Sequence, residues 1–366
     1  MNKSLPLLFI ATLILSLILL GCMQSNQSSQ QNPHPQSSSE TIRIGVIAPL
    51  SGDVAFIGEG MRNAFVLAQS QNPQGYKYEL IFEDGKFDPT TSLTAAQKLI
   101  YQDKVKAIIT FSSGIGKVIS PLAQKEQVIH FAIASDPTIA AGLYNFIHWT
   151  PPAEENRVFV QELQNRNINK LAIIELRQAG VQAVSQDLVQ KLDQAGIEVT
   201  SQSYFNPTEK DFRTIITKAQ QKNPQMYLLL AFTPELEDLV TQMHELGITT
   251  PVTSIESFEY TNQPELFEGE WYVSTSEPTA QFSSTFKAQY GKNPPVASSH
   301  VYDIFNILVD EFQKTTSTTQ VALALETMPP RTGSVGQLTM LPQGIINSQA
   351  TVKTVHLGKF VLLKSE

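Results

Sequence analysis

Short apolar runs alternate with amphipathic helical segments along most of the chain, and this rhythm constrains the fold more than any other feature. The first series opens with the apolar run Ile42–Ala48 and the helical segment Phe56–Gln71, and a second series of the same kind opens at Leu171. Such a repeat is typical of a mainly parallel sheet with helices on its faces. Pro151 and Pro152 interrupt the rhythm between the two series. The sequence therefore predicts an α/β fold with two doubly wound parallel-sheet lobes.

The segment count also suggests how the chain is divided between the lobes. About 325 residues follow a polar N-terminal stretch, which exceeds the size at which one core usually stops growing. Strand-like segments return late, at Gln337–Met340 and Thr354–Leu363. We therefore expect about three hinge crossings between the lobes, near Pro151, Ser274 and Gly336. The first lobe would hold residues 41–150 and 275–336, and the second lobe residues 151–274 and 337–366.

The N-terminal segment indicates export. Leu5–Leu20 is a nearly unbroken apolar run after Lys3, and Leu19-Leu20-Gly21-Cys22 closes it with the single cysteine of the chain. This pattern resembles a bacterial lipoprotein signal peptide, here residues 1–21. The resemblance implies cleavage before Cys22 and lipidation of its thiol, for example with palmitate. The alternative is an uncleaved signal anchor with an incidental cysteine.

The segment after the cysteine has the composition of a tether. Met23–Glu40 is made mostly of Gln, Ser, Asn and Pro, so it has too little apolar surface to offset its ordering entropy. We expect residues 22–40 to form the lipidated cysteine and a flexible linker. The expected location is the cell envelope, with the protein lipid-anchored to a membrane and facing the periplasm or the exterior.

Charge and motifs argue against several other functions. The formal net charge is -8, and no basic stripe is present, so a nucleic-acid partner is not expected. Neither a Gly-x-Ser-x-Gly nor a His-Glu-x-x-His pattern occurs, and the 6 histidines are scattered singly. Gly114-Ile115-Gly116-Lys117 lacks the remaining spacing of a phosphate-binding loop. The sequence therefore predicts no enzyme, no metal site and no cofactor.

Small polar residues follow the predicted strands of the first lobe. Ser112-Ser113-Gly114 comes after the third strand and Ala134-Ser135-Asp136-Pro137 after the fourth. In open α/β sheets ligands bind beyond the carboxyl ends of the strands. Hydroxyls and free N–H groups at helix N-termini also favour an anion such as a carboxylate. The alternative is that these serines are ordinary helix N-caps.

Several segments together carry a family resemblance. Ile42–Gly52 is similar to the opening strand of type I periplasmic binding proteins, in particular the leucine/isoleucine/valine-binding branch. The similarity continues through Glu83-Asp84, Phe111-Ser112-Ser113 and Ala134–Pro137, and through Glu209–Phe212 in the second series. The resemblance implies a receptor of an ABC importer that binds an amino acid or similar small polar solute by hinge closure. Its partner would be a permease in the inner membrane.

The resemblance also implies a ligand site. Ser113 and Ser135, with Ser112 and nearby N–H groups, would hold a carboxylate of the ligand. The Ala134 carbonyl and the Ser135 hydroxyl would accept from its ammonium group, with Glu256 opposite from the second lobe. Phe232 would pack on the ligand. Glu256 has an alternative interpretation as a solvated loop acid, because Glu259 lies close by in the sequence.

The chain departs from the family pattern where the side chain of the ligand would lie. Arg177-Gln178-Ala179-Gly180 stands where the family has an aromatic-Gly pair, and Asp136 is charged where a small neutral residue is usual. Asp136 and Arg177 could select a polar, basic or acidic side chain, or an amide- or urea-like solute. They could equally be surface residues at the rim of the cleft. A sensing module that reports to a separate signalling partner is a further alternative.

Overall fold

A computed structural model describes residues 41–72 and 78–363 of the chain. The predicted signal peptide, Cys22 and tether lie outside the described residues.

The first lobe is an 8-stranded sheet with helices on its faces. Its parallel strands and their helices come first, followed by a late group of three helices and three strands. The elements are β1 (Ile42–Ala48), α1 (Ala55–Gln71), β2 (Tyr78–Asp84), α2 (Pro89–Tyr101), β3 (Ala107–Phe111), α3 (Ser113–Glu126), β4 (Ile129–Ile133), β5 (Asn145–His148), α8 (Ala280–Tyr290), α9 (Ser298–Phe312), α10 (Thr318–Glu326), β11 (Arg331–Gly333), β12 (Gly336–Leu341) and β13 (Ile345–Asn347). The sheet order is β11-β12-β13-β5-β4-β3-β1-β2, with the β11–β12 and β12–β13 pairs antiparallel.

The second lobe is a 7-stranded sheet of the same kind. Its elements are α4 (Pro152–Asn165), β6 (Lys170–Leu176), α5 (Ala179–Gln194), β7 (Glu198–Phe205), α6 (Arg213–Gln220), β8 (Met226–Leu230), α7 (Glu235–Glu245), β9 (Val252–Ile255), β10 (Trp271–Thr275), β14 (Ala350–His356) and β15 (Lys359–Leu362). The order is β15-β14-β10-β9-β8-β6-β7, and only the β14–β10 and β15–β14 pairs are antiparallel among the described strands. The predicted fold class of two doubly wound lobes is confirmed, with mixed edges added.

Each lobe has its own apolar core. Strands β3, β4, β8 and β10 are buried along their whole length, which is expected for parallel strands covered by helices on both faces. Phe65, Phe131 and Phe305 lie in the first core, and Phe159, Phe212 and Tyr272 in the second. Since the two cores are separate, the lobes can act as rigid bodies.

The chain crosses between the sheets three times. It does so after β5, after β10, and at residues 348–349 between β13 and β14. The sequence placed the third crossing near Gly336, and this position is wrong by more than ten residues, because β12 and β13 still belong to the first sheet. Alternating polarity shows that a segment is a strand but not which sheet it joins. The segment Thr354–Leu363, predicted as a single strand, instead holds parts of two antiparallel strands, β14 and β15, which are joined by a turn at Leu357-Gly358.

One hydroxyl joins the three crossings. Thr150 Oγ1 lies 2.9 Å from Thr275 Oγ1 and 2.9 Å from Ser348 Oγ, and all three side chains are buried. Ser276 adds a backbone bond of 2.9 Å to the carbonyl oxygen of Gln349. These bonds tie the crossing strands side by side. They define the hinge about which the lobes can turn.

Candidate site in the cleft between the lobes

The ends of β3 and β4 supply the polar wall of a cavity between the lobes. Ser112 and Ser113 follow β3, Ala134 and Ser135 follow β4, and all four residues line the cavity. Ser113 Oγ accepts hydrogen bonds from the backbone N–H groups of Ser135 and Asp136, each at 3.1 Å. Ser113 therefore ties the two strand ends together at the N-terminus of α3.

Glu256 reaches this wall from the second lobe. It follows β9 with φ +65°, a left-handed conformation that is uncommon for a residue other than glycine, and its N–H donates to the carbonyl oxygen of Val273 at 2.8 Å. The Ser135 hydroxyl donates to its carboxyl oxygens at 2.9 and 3.2 Å, and the indole N–H of Trp149 donates to Oε1. The acid is therefore held in place by donors from the opposite lobe.

The environment of Glu256 shifts its ionisation. Only 8% of the residue is exposed, and burial raises the pKa of its carboxyl above the ordinary value. Hydrogen bonds from Trp149 and Ser135 act in the opposite direction, because they stabilise the charged form. A buried acid without a cationic partner in the lining is suited to meet a positively charged group.

The second lobe also brings an amide to the cleft, from the segment that departs from the aromatic-Gly pattern. Gln178 Nε2 donates to Ser112 Oγ across the cleft at 3.3 Å, and its Oε1 accepts from the N–H of Gly180 at 3.1 Å. A Cβ on Gly180 would lie 2.8 Å from Ser113 Oγ, closer than real Cβ atoms come, so the glycine permits this approach of α5 to α3. The lobes are thus in direct contact at the site.

A ring of aromatic side chains forms the apolar part of the cavity. Phe87 and Phe111 come from the first lobe, and Phe232 and Tyr260 from the second. The ring centroids of the neighbouring pairs lie 5.0 to 6.0 Å apart, which are ordinary contact distances for aromatic pairs. The four rings form a closed circuit across the cleft, and Phe232 packs against the cores of both lobes.

The structure brings together six of the seven residues that the sequence singled out for the ligand. Ser112, Ser113, Ala134, Ser135, Phe232 and Glu256 line one cavity, which measures about 490 Å³ including its part open to solvent. The interpretation of Glu256 as a solvated loop acid is wrong, because the side chain is buried. That these six residues bind a ligand stays a prediction.

Asp136 and Arg177 do not line the cavity. Asp136 accepts from the N–H and hydroxyl of Thr138 at 2.9 and 2.7 Å and pairs with Lys117 at 3.1 Å. Burial alone would raise the pKa of Asp136, but these hydrogen bonds outweigh it and lower the pKa. Arg177 lies over the ring of Tyr204, 5.6 Å from its centroid. In this conformation neither side chain is placed to select the side chain of a solute.

Sequence comparison assigns the chain to a family. The family model described as "Periplasmic binding protein" matches residues 41–351, which is most of the chain. The chain belongs to the periplasmic binding protein family. Members of this family are solute-binding proteins rather than enzymes, and membership implies a place outside the cytoplasm. Among the described helices none is both long and apolar enough to cross a membrane.

Relatives and solved structures agree with this assignment. A "Leu/Ile/Val-binding protein homolog 3" from Brucella melitensis is 22% identical over 328 residues, which are 84% of this chain and 89% of that protein. The leucine binding protein LivK of Thermotoga maritima has a TM-score of 0.82 at 21% identity, covering 88% of this chain and 98% of the other. A solute binding protein of an ABC transporter from R. palustris, in complex with benzoate, has a TM-score of 0.79 at 15% identity, covering 88% and 95%. At these identities the structural likeness shows the fold.

Sequence reasoning missed several residues of this periplasmic binding protein site. Phe87, Phe111, Trp149, Gln178 and Tyr260 line the cavity but were not chosen. Phe111 is the last residue of β3 and Trp149 directly follows β5, so the rule for strand ends could have found both residues. Phe87 has φ +55° in the loop after β2, and no sequence pattern signals that conformation.

Proposed function

We propose that this periplasmic binding protein is the solute receptor of an ABC importer, and that it binds an amino acid or a similar small solute with an ammonium group between its lobes. The observation that carries the proposal is the buried carboxyl of Glu256, which meets the Ser135 hydroxyl of the other lobe inside an otherwise neutral cavity. A buried charge is costly unless it is paired, so this acid favours a cationic group in the ligand.

The remaining groups of the cavity suit the rest of an amino acid. Ser113 and Ser135 lie at the N-terminal end of α3, where the helix dipole and the N–H groups favour a carboxylate. The Ala134 carbonyl is available to an ammonium group beside Glu256. The circuit of Phe87, Phe111, Phe232 and Tyr260 would surround an apolar side chain. These features support a solute with an apolar rather than a charged side chain.

Binding would proceed by hinge closure. The three crossings at Thr150, Thr275 and Ser348 allow the lobes to turn as bodies, and the contacts of Ser135 and Gln178 across the cleft exist only when the lobes meet. A solute that contacts both lobes binds the closed form better and shifts the population toward it. The closed form would then dock on a permease in the inner membrane.

Attachment to a membrane through lipidated Cys22 is part of the same proposal. A diffusing receptor would be held near its permease, because each buried methylene of an acyl chain contributes roughly 0.8 kcal/mol. Mass spectrometry of the mature N-terminus checks this step. The predicted result is a chain that begins at an acylated Cys22, and a Cys22→Ala variant that leaves the membrane fraction. An unprocessed N-terminus beginning at Met1 would contradict it.

A ligand screen tests the proposed function. The purified full chain in detergent would be unfolded partially to remove bound solute, refolded, and heated with single amino acids, small amides, urea and benzoate. A ligand at about one hundred times its dissociation constant adds roughly 2.7 kcal/mol of stability. We expect a higher melting temperature with one class of amino acid. A selective rise with amides or urea alone would replace the amino acid by that class, and no rise with any compound would contradict a small-solute receptor.

A further inference from the structure

A second buried acid lies behind Glu256. Glu155 stands in the first turn of α4, on the face that also buries Phe159 and Leu163. It is fully buried, and neither carboxyl oxygen has a hydrogen-bond donor among the described residues. Its carboxyl lies within hydrogen-bonding reach of the carboxyl of Glu256. A hydrogen bond between two carboxyls exists only if one of them carries a proton.

Within the described part of the chain, no neighbouring cation is free to neutralise this pair. Lys353 on β14 is buried, and its Nζ lies 2.6 Å from Glu259 and 2.9 Å from Glu277. The two carboxylates already exceed the single positive charge of Lys353. His300 packs on the ring of Trp149 with a centroid distance of 4.6 Å, and burial lowers its pKa well below the ordinary value, so it stays neutral. The hydroxyl of Tyr260 faces Glu256 at 3.5 Å, and the hydroxyl of Tyr272 donates to Glu259.

Two ionised carboxyls cannot share a buried space without a cation. The first charge raises the cost of the second, so the pair loses its two protons in separate steps. Burial and the nearby Glu256 raise the pKa of Glu155 well above its ordinary value. The negative charge of Glu256 is stabilised by Trp149 and Ser135, whereas Glu155 has no comparable donor. The proton therefore lies mainly on Glu155.

We propose that Glu155 and Glu256 hold one proton between them in the solute-free protein, and that an ammonium group of the solute takes its place on binding. This inference rests on the proposed function. One cation enters the site and one proton leaves to the solvent, so the net charge of the pair and its partner is unchanged. Glu155 acts through Glu256 and is a positioning residue that sets the charge of the accepted solute. Solutes with a carboxylate but no ammonium group, such as benzoate, are rejected.

The shared proton can be detected without a ligand. A group whose pKa is raised in the folded state binds more protons there than in the unfolded state, so it stabilises the fold at low pH and loses this effect as pH rises through the folded pKa. The free energy of unfolding of the wild type should therefore fall as the pH rises above about 4.3. Glu155→Gln should reduce the fall, because the amide donates to Glu256 without titrating and only Glu256, whose own pKa is raised by burial, still contributes. Glu154→Gln, the neighbouring acid paired with Arg157 at the surface, should retain it.

The outcome is decided by comparing these slopes. Equal pH dependence in the wild type and Glu155→Gln would overturn the shared proton. If Glu155→Gln does not fold, infrared spectra of the wild type serve instead. They should show a protonated carboxyl band near neutral pH whose frequency shifts in Glu256→Gln, because the hydrogen-bonding partner of Glu155 changes, and a wild-type spectrum without this band would overturn the proposal.

Calorimetry then tests the exchange itself, with L-leucine and benzoate as probes in buffers of different ionisation enthalpy. We expect L-leucine to release close to one proton below the pKa of the pair, where its affinity falls about tenfold per pH unit. Glu155→Gln should bind L-leucine with a smaller proton release and a shallower pH profile, since only Glu256 still titrates. Binding without proton release in the wild type, or benzoate binding as tight as that of L-leucine, would overturn the inference. If L-leucine does not bind, that result counts against the proposed function, and the stability slopes still decide the shared proton.

Discussion

The hydroxyl of Ser135 donates to Oε1 of Glu256 at 2.9 Å, although the two residues are 121 positions apart in the sequence and belong to different lobes. Both side chains are buried, so the bond lies inside the protein rather than at the rim of the cleft. Since neither lobe alone contains both partners, the site is complete only when the lobes meet. The bond between Ser135 and Glu256 therefore requires a closed cleft.

Replacement of either cavity serine should weaken binding without unfolding the protein. Ser113→Ala removes the hydroxyl that accepts from the N–H groups of Ser135 and Asp136. Ser135→Ala removes the hydroxyl that donates to Glu256. Each loss of a partner for a charged or buried group costs roughly 1 to 3 kcal/mol. Calorimetric titration with the solute found in the screen measures this change. Ser284→Ala, at an exposed position of α8, is the control, and unchanged affinity in both cavity variants would refute the assignment.

Phe232→Ala should lower the affinity for solutes with apolar side chains. The ring packs on Phe87 and Tyr260 with centroid distances of 5.7 and 5.0 Å, and burial of a phenyl group contributes roughly 1.5 to 3 kcal/mol. We therefore expect dissociation constants at least tenfold higher, with a smaller effect for glycine than for larger amino acids. Tyr101→Ala, on an exposed aromatic outside the cavity, should leave affinity unchanged. An equal loss for glycine and larger amino acids would argue against the aromatic circuit as the side-chain pocket.

Thr150→Val should destabilise the hinge. The substitution keeps the shape of the side chain but leaves the buried hydroxyls of Thr275 and Ser348 without their shared partner. We expect the free energy of unfolding to fall by roughly 1 to 3 kcal/mol in urea titrations. The matched control is Thr94→Val on the exposed face of α2, which should change stability much less. Equal effects of the two variants would mean that the hydroxyl hub does not hold the crossings.

His130 should make the first lobe sensitive to acid. Its ring is fully buried between Thr110 and Asn145, and burial lowers its pKa to about 4. Between this value and about 6.5 the unfolded state binds the extra proton, so the free energy of unfolding should fall by about 3 kcal/mol as pH drops through that window. His130→Gln should lose this part of the acid dependence, measured by urea unfolding at several pH values. The exposed His356→Gln should retain it, and identical slopes in both variants would contradict the prediction.

The sequence predicted the architecture better than the full set of site residues. The alternation of strands and helices was sufficient for two parallel-sheet lobes, and the rule for strand ends was sufficient for Ser113 and Ser135. The sequence could not assign β12 and β13 to a sheet, because strand patterns carry no information about pairing partners. The buried position of Glu155 was detectable from the sequence in principle. This residue shares the buried face of α4 with Phe159, and an acid at such a helical position is unusual.

The central claim is that the cleft binds the ammonium group of a solute through Glu256, and calorimetry of the wild type beside Glu256→Gln tests it most directly. The account predicts that the amino acid selected in the screen binds the wild type and loses about a hundredfold or more in affinity with Glu256→Gln, since the charged partner is gone. Glu154→Gln should bind as the wild type does. Undiminished binding to a folded Glu256→Gln variant would contradict the account.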